Sequence, residues 1–265
     1  MAPVTSRAVV LHSHRLGETS KVVVCYTETH GKVRLVAKGG RRGGSRVGAA
    51  LGPFMVSGVV FYLRSGRELS IVSQADVERD FPGLRRDAVR MAYGSAVIEL
   101  VDRVVSGEEP DPALFALIVE TLAGVEAAER DALDRALLAF GFALARSLGY
   151  EAAFDACVLC GAAPGVGALF APRHGGLVCA ACQSKDRGIG LTRRPATAAL
   201  ADAAAGRRSA VAVSRAAADE AWDAFCAFLA EHTGRTLRLK SLDVLAQLRR
   251  AEHADPTTPT GRKQR

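Results

Sequence analysis

Aromatic residues make up only 6% of this 265-residue chain, with one Trp. Any core must therefore rest mainly on Ala, Leu and Val. No stretch approaches the roughly 18–20 apolar residues that a membrane-spanning helix needs. Met1 to Val9 lacks the basic start and continuous apolar segment of a secretory signal. These absences predict a cytoplasmic protein with no membrane partner. Catalytic signatures are missing too. The histidines are His12, His14, His30, His174, His232 and His253, and none sits in an HExxH or HxE context. Neither GxSxG nor a phosphate-binding GxxxxGK[ST] loop occurs. The expectation is a protein that is not an enzyme.

What is present is a basic, foldable chain. The formal net charge is +7 and the pI about 9.3, which favours an anionic partner such as nucleic acid, acidic lipid or an acidic protein tail. Hydrophobic residues make up 49%, enough to bury a core, and the length suits two or three small domains.

Five short β-segments are expected in the first eighty residues. They are Ala8 to Leu11, Lys21 to Tyr26, Lys32 to Ala37, Phe54 to Leu63 and Glu68 to Val77, with turns at His30-Gly31 and Ser65-Gly66. Five strands at this spacing suggest a small barrel of the OB type. Beyond Phe81-Pro82 the period becomes helical. Val89, Tyr93, Val97, Leu100, Val101 and Val104 form one stripe, and Gly107 ends the run. Pro112 opens a second helix, and a third runs from about Arg130 to Ser147 with Gly149 as its cap. Trp222, Phe225, Cys226 and Leu229 mark another, and Ser241 is positioned to cap a last one.

The fold class is thus α+β. Residues 1–80 form an N-terminal barrel domain and residues 81–253 a helical domain. A cysteine-bearing element is inserted at about 154–187. Residues 254–265 read as a disordered basic tail.

Cys25 and Cys226 stand alone, whereas Cys157-x-x-Cys160 and Cys179-x-x-Cys182 form two pairs. Eighteen residues separate Cys160 from Cys179, the spacing of a zinc ribbon. Four thiolates close a tetrahedron and leave no position for a reactive water, so the implied cofactor is one structural Zn²⁺. The competing readings are redox pairs, disulfides or buried thiols; a redox motif would need a βαβ context, which is absent. His174 lies between the pairs and is not needed as a ligand.

Between Gly31 and Gly48 lie Lys32, Arg34, Lys38, Arg41, Arg42 and Arg46, with no acid among them. Charge of one sign on a glycine-rich loop suits phosphate contact, because glycine lets backbone N–H groups approach and arginine offers a planar fork. These six are the expected DNA-binding residues; a merely solvated hairpin is the bland alternative. The helical middle is more acidic, with Glu108, Glu109, Asp111, Glu120, Glu126 and Glu129. Positive charge returns after the cysteines, where Arg193, Arg194, Arg207 and Arg208 offer a second candidate surface. Tyr26, Phe54, Phe61 and Tyr62 on the barrel are the candidate base-stacking aromatics.

Several short stretches resemble the RecO recombination mediator family. They are Arg15-Leu16-Gly17-Glu18 with Thr27 and His30-Gly31, then Ala37-Lys38-Gly39-Gly40-Arg41-Arg42, Ser45, Leu51 and Pro53-Phe54. The four cysteines match the family's zinc element, and Gly234, Leu237 and Lys240-Ser241-Leu242 its last helix. Gly40 departs from the pattern and is expected to loosen the loop without removing charge.

The resemblance implies an OB-fold and a helical domain with an inserted zinc element. It also implies binding of single- and double-stranded DNA, annealing of complementary strands, and help in loading recombinase onto coated strands. Its implied partners are a RecR-type mediator protein and the acidic C-terminal tail of the single-stranded-DNA-binding protein, with a nucleoid-associated location. That tail is expected on the helical region or its seam with the C-terminal segment, near Arg146 and Arg238. The alternatives are a zinc-ribbon OB-fold factor that binds RNA, and an enzyme using the cysteines.

Overall fold

The computed structural model describes residues 3–63, 69–107, 109–207 and 213–254. Five strands, β1 Pro3–Leu16, β2 Ser20–Thr27, β3 Gly31–Ala37, β4 Met55–Tyr62 and β5 Ser70–Asp80, close into a barrel in the order β1-β2-β3-β5-β4. All neighbours are antiparallel except β3 and β5, which pair in parallel. The expected turn at Ser65-Gly66 lies outside the described residues.

Valine-rich β2 is buried along most of its length because both of its faces are covered. Val23 and Cys25 point into the barrel with Val10, Leu35, Val59 and Phe61. Val24 and Tyr26 pack outward into a second core shared with the helices. Barrel and helical domain are therefore joined by a continuous apolar contact that includes Phe54. Phe54 takes a positive φ of 56°, a strained setting for a side chain, and packs where a Cβ on Gly94 would come within 3.0 Å of its ring.

Two elements depart from expectation. β1 extends far beyond Ala8 to Leu11, since the polar segment His12 to Arg15 continues pairing with β2. The segment after Ser45 is not all loop: Arg46–Ala50 is a short helix, α1, with the Ser45 hydroxyl accepting from the Gly48 N–H at 3.1 Å. Lys21 from β2 closes its other end by donating to the carbonyls of Gly48 and Leu51.

The helical domain follows α2, Pro82–Arg86. Its central helix, α3 Ala88–Val104, is capped by Asp87, whose carboxylate accepts from the N–H groups of Val89 and Arg90. Asp111 caps α4 Pro112–Ala127 in the same way. The helix expected from Arg130 begins as a 3-10 turn and becomes α5 at Leu133–Ser147, with Gly149 left-handed at φ 85° beyond it. The cysteine-bearing segment follows. It contains the hairpin β6 Leu169–Ala171 and β7 Gly176–Val178, then α6 Ala180–Lys185. α7 Arg194–Ala204, α8 Arg215–Thr233 and α9 Lys240–Ala254 complete the described chain. The tail from Asp255 onward lies outside the described residues.

The last helix is held by distant groups. Ser241 does not cap it. Glu99 of α3 accepts from the backbone N–H groups of Lys240 and Ser241, both at 3.0 Å, and from the Ser241 hydroxyl at 2.9 Å. Further along, Arg249 binds Asp134 at 2.9 Å and the Tyr93 hydroxyl.

Burial works against the Glu99 carboxylate, yet donation from Ser241, Lys240 and Arg103 outweighs it and holds the group below its ordinary value of 4.5. A lowered folded-state value means the stabilisation is complete above 4.5 and fades as pH falls through the lowered value. Glu99→Gln should cost about 1–2 kcal/mol at neutral pH and remove this part of the acid sensitivity. Urea midpoints at neutral and acid pH measure both effects; equal midpoints for parent and variant at neutral pH would show that the cap contributes nothing.

Candidate metal centre and cationic surface

The sulfurs of Cys157, Cys160, Cys179 and Cys182 lie within 4.8 Å of one another. Cys160 Sγ and Cys179 Sγ are 3.8 Å apart. Four thiolates around one ion with bonds of about 2.3 Å require tetrahedral edges of about 3.8 Å, so this cluster could hold a metal ion. His174 is not part of it; it belongs to the hairpin turn Pro172–His174.

Local sequence explains the convergence. Cys157 to Cys160 forms a tight turn closed by the Gly161 N–H donating to the Cys157 carbonyl at 2.8 Å, with Gly161 left-handed at φ 72°. Cys179 stands at the N-terminal boundary of α6, which brings Cys182 back one turn later. Gly176 permits a close approach: a Cβ there would lie 2.4 Å from a Val158 methyl. The Cys179 N–H donates to Cys157 Sγ at 3.3 Å and holds that thiol below the ordinary cysteine range.

The apolar residues around the cluster are few, chiefly Ala171, Val178, Val158, Ile189 and Leu191. Phe170 stacks on Phe154 with ring centroids 5.3 Å apart, and the pair anchors the element to the helical domain through Phe228 of α8 and Phe142 of α5. A four-sulfur site with no open position can organise this small segment and offers no activated water.

The six expected DNA-binding residues do not all behave alike. Lys32 is turned away from solvent. Its Nζ lies 2.7 Å from Asp102 Oδ1 and 2.6 Å from the Asp102 carbonyl of α3, so it links barrel to helix. Arg34, Lys38, Arg41, Arg42 and Arg46 are exposed.

Residues 38–45 are ordered by successive turns. The Arg41 N–H donates to Thr19 O at 2.8 Å, and the Arg41 guanidinium donates to the carbonyls of Gly17 and Glu18 at the β1–β2 tip. Arg46 makes one exposed contact to Asp76 at 3.4 Å. Gly40 does not loosen the loop. It is pressed so closely that an added Cβ would lie 2.9 Å from the Ala37 Cβ, and a Cβ on Gly48 would strike the Gly40 carbonyl at 2.0 Å.

Elsewhere, several expected cations are engaged with acids, while Arg194 is exposed. Arg193 pairs with Glu220 at 2.6 Å and Arg207 with Asp202 at 3.0 Å, while Arg208 lies outside the described residues. Arg146 contacts Glu151 and the Ala204 carbonyl, and Arg238 contacts Asp243. Of the candidate stacking aromatics, Tyr26, Phe54 and Phe61 are buried; Tyr62 alone is exposed, at 37%.

Fold and site together define a two-part chain: a closed five-stranded barrel with an exposed cationic loop, seated on a helical domain that carries a candidate four-cysteine metal site. Two family profiles divide the chain in the same way. "Recombination protein O N terminal" matches residues 1–81 and "Recombination protein O C terminal" matches residues 85–243. The chain is 36% identical to DNA repair protein RecO of Rubrobacter xylanophilus over 78% of its length and 86% of the relative's. It is 36% identical to that of Nocardioides sp. over 87% and 95%. It is 33% identical to that of Geobacter metallireducens over 94% and 99%. The chain belongs to the RecO family of DNA repair proteins. Among the described residues, no helix is long and apolar enough to cross a membrane.

Proposed function

We propose that this chain is a non-enzymatic, DNA-binding recombination mediator whose barrel is an OB-fold and whose four cysteines hold one structural zinc ion. The observation that carries the reading is the ordered loop after β3, where Lys38, Arg41, Arg42 and Arg46 are all exposed on one glycine-rich segment. Cations held on a folded loop meet phosphates without first losing conformational freedom. Arg34 extends this surface along β3.

Such contacts carry no base information, so single- and double-stranded DNA both bind. Neutralised strands approach one another, which favours annealing of complementary strands and supports recombinase loading onto coated single strands. A RecR-type protein and the acidic tail of the single-stranded-DNA-binding protein are the proposed partners, and association with the nucleoid follows from DNA binding. The tail's carboxylates would compete with Glu151 and Asp243 for the exposed Arg146 and Arg238, beside apolar helix surface.

A competition titration tests the nucleic-acid class. A labelled DNA strand bound to the full chain should be displaced by unlabelled DNA at lower concentration than by RNA of the same sequence. Preferential displacement by RNA would assign the chain to RNA instead.

A further inference from the structure

β1 carries an irregularity that changes which side its residues face. Val10 pairs with Cys25, and the next paired residue, His12, sits opposite Val24. Leu11 is therefore an extra residue, and a bulge of this kind re-aims the side chains that follow it. Val9 opposite Tyr26 and His12 opposite Val24 lie on the side that packs toward the helices. His14, two residues on, shares that side. Continued alternation from Val9 would have placed Ser13 there instead.

The bulge thus sets two imidazoles in a row. Their ring centroids are 6.3 Å apart and their planes are inclined by 26°. His12 is braced from behind, with Nδ1 3.1 Å from Asp102 Oδ2, yet remains 48% exposed. His14 is exposed as well. On a barrel whose larger aromatics are mostly buried, this is a ring surface open to solvent.

His12 also lines a cleft of about 700 Å³ between β1, α3 and the start of α9. Leu11, Pro53, Leu237 and Val244 form its apolar wall, and Arg235 and Lys240 stand exposed at its rim. The two acids in the lining are already engaged: Glu99 by α9 and Arg103, Asp102 by Lys32 and His12. The histidine row leads along β1 toward the cationic loop. Gly17, whose carbonyl Arg41 binds, is three residues from His14, about 10 Å along an extended strand.

We propose that the rim of this cleft, together with His14 beside it, is a subsite selective for single-stranded nucleic acid, in which a base stacks on the His12–His14 pair while Arg235 and Lys240 hold neighbouring phosphates. The proposal rests on the nucleic-acid reading of the barrel and extends it from charge to base contact. Stacking needs a free base face, which a single strand offers and a duplex hides. The imidazole pair therefore discriminates between two ligands that the loop alone treats alike.

The test uses His14, which has no part in the Asp102 contact. Fluorescence anisotropy of the full chain should show His14→Ala binding a short oligothymidylate about tenfold more weakly than the parent. Affinity for a duplex of equal length should hardly change, and His14→Phe should restore single-strand binding. Unchanged oligothymidylate affinity in His14→Ala overturns the proposal and leaves the loop reading intact. Equal losses on both ligands overturn it as well, since they mark a charge or structural effect. An acidic, apolar peptide that shifts the His14 ring resonances when oligothymidylate does not would make the cleft a protein dock, against the proposal. If the parent binds neither oligonucleotide, the loop reading and the cleft fall together.

Discussion

Cys179→Ser should strip the metal from the protein and unfold the segment that the cysteines organise. The parent is expected to carry one ion per chain and the variant close to none, by elemental analysis of dialysed protein. The reason lies in how little else holds the segment together. Its apolar cluster comprises a handful of small residues around the sulfurs themselves. Segments of this size are usually stabilised by metals or disulfides.

Apparent binding free energies of structural zinc are on the order of 10 kcal/mol. Only part of that reaches the rest of the molecule, through the aromatic contacts of Phe170 with Phe228 and of Phe154 with Phe142. A transmitted loss of about 3 kcal/mol would lower Tm by roughly 6–12 °C in a domain of this size. Chelation of the parent should reproduce the shift, and limited proteolysis should cut first between residues 154 and 192. A parent that is fully folded with no bound metal and four free thiols would end the zinc assignment.

The second large effect is expected at the barrel loop. Replacing Lys38, Arg41 and Arg42 together with Ala should weaken DNA binding on the order of 100-fold, taking about 1 kcal/mol per charge-assisted hydrogen bond after desolvation. The plot of log affinity against log salt should flatten by roughly 0.7–0.9 for each phosphate that is no longer neutralised. The weakening should be similar for unrelated sequences, because phosphates are read without regard to base.

Arg41 also ties the loop to the β1–β2 tip through Gly17 and Glu18. The double variant Lys38→Ala/Arg42→Ala leaves that tie in place and isolates the charge effect. Its thermal stability should match the parent, since exposed loop charges contribute little to folding. Isotherms at two ionic strengths decide the matter. If affinity and salt slope both survive, the loop is a solvated hairpin and the DNA surface lies elsewhere.

Much of this architecture was legible because it rests on local pattern. Val33, Leu35 and Ala37 alternate with Lys32, Arg34 and Val36, and they do divide inside from outside. The stripe from Val89 to Val104 is a buried helix, and two CxxC pairs do bring four sulfurs together.

What escaped depends on contacts between residues far apart in the chain. Lys32 reads as one more loop cation, but its partner Asp102 lies 70 residues away. Ser241 has the identity of a cap, yet the acceptor is Glu99, 142 residues earlier. The polar run His12 to Arg15 hides the second half of β1, and nothing local announces the bulge that aligns its two histidines. Gly40 reads as slack in the sequence and acts as a close-packing position in the fold.

The central claim, that this chain brings complementary DNA strands together through its barrel, is tested most directly by annealing. Two complementary strands, each coated with single-stranded-DNA-binding protein, are mixed with the full chain, and duplex formation is followed by fluorescence. The parent should accelerate duplex formation, and Lys38→Ala/Arg42→Ala should lose most of that acceleration while matching the parent in metal content and thermal stability. A parent that leaves the rate unchanged, or a variant as active as the parent, would contradict the account.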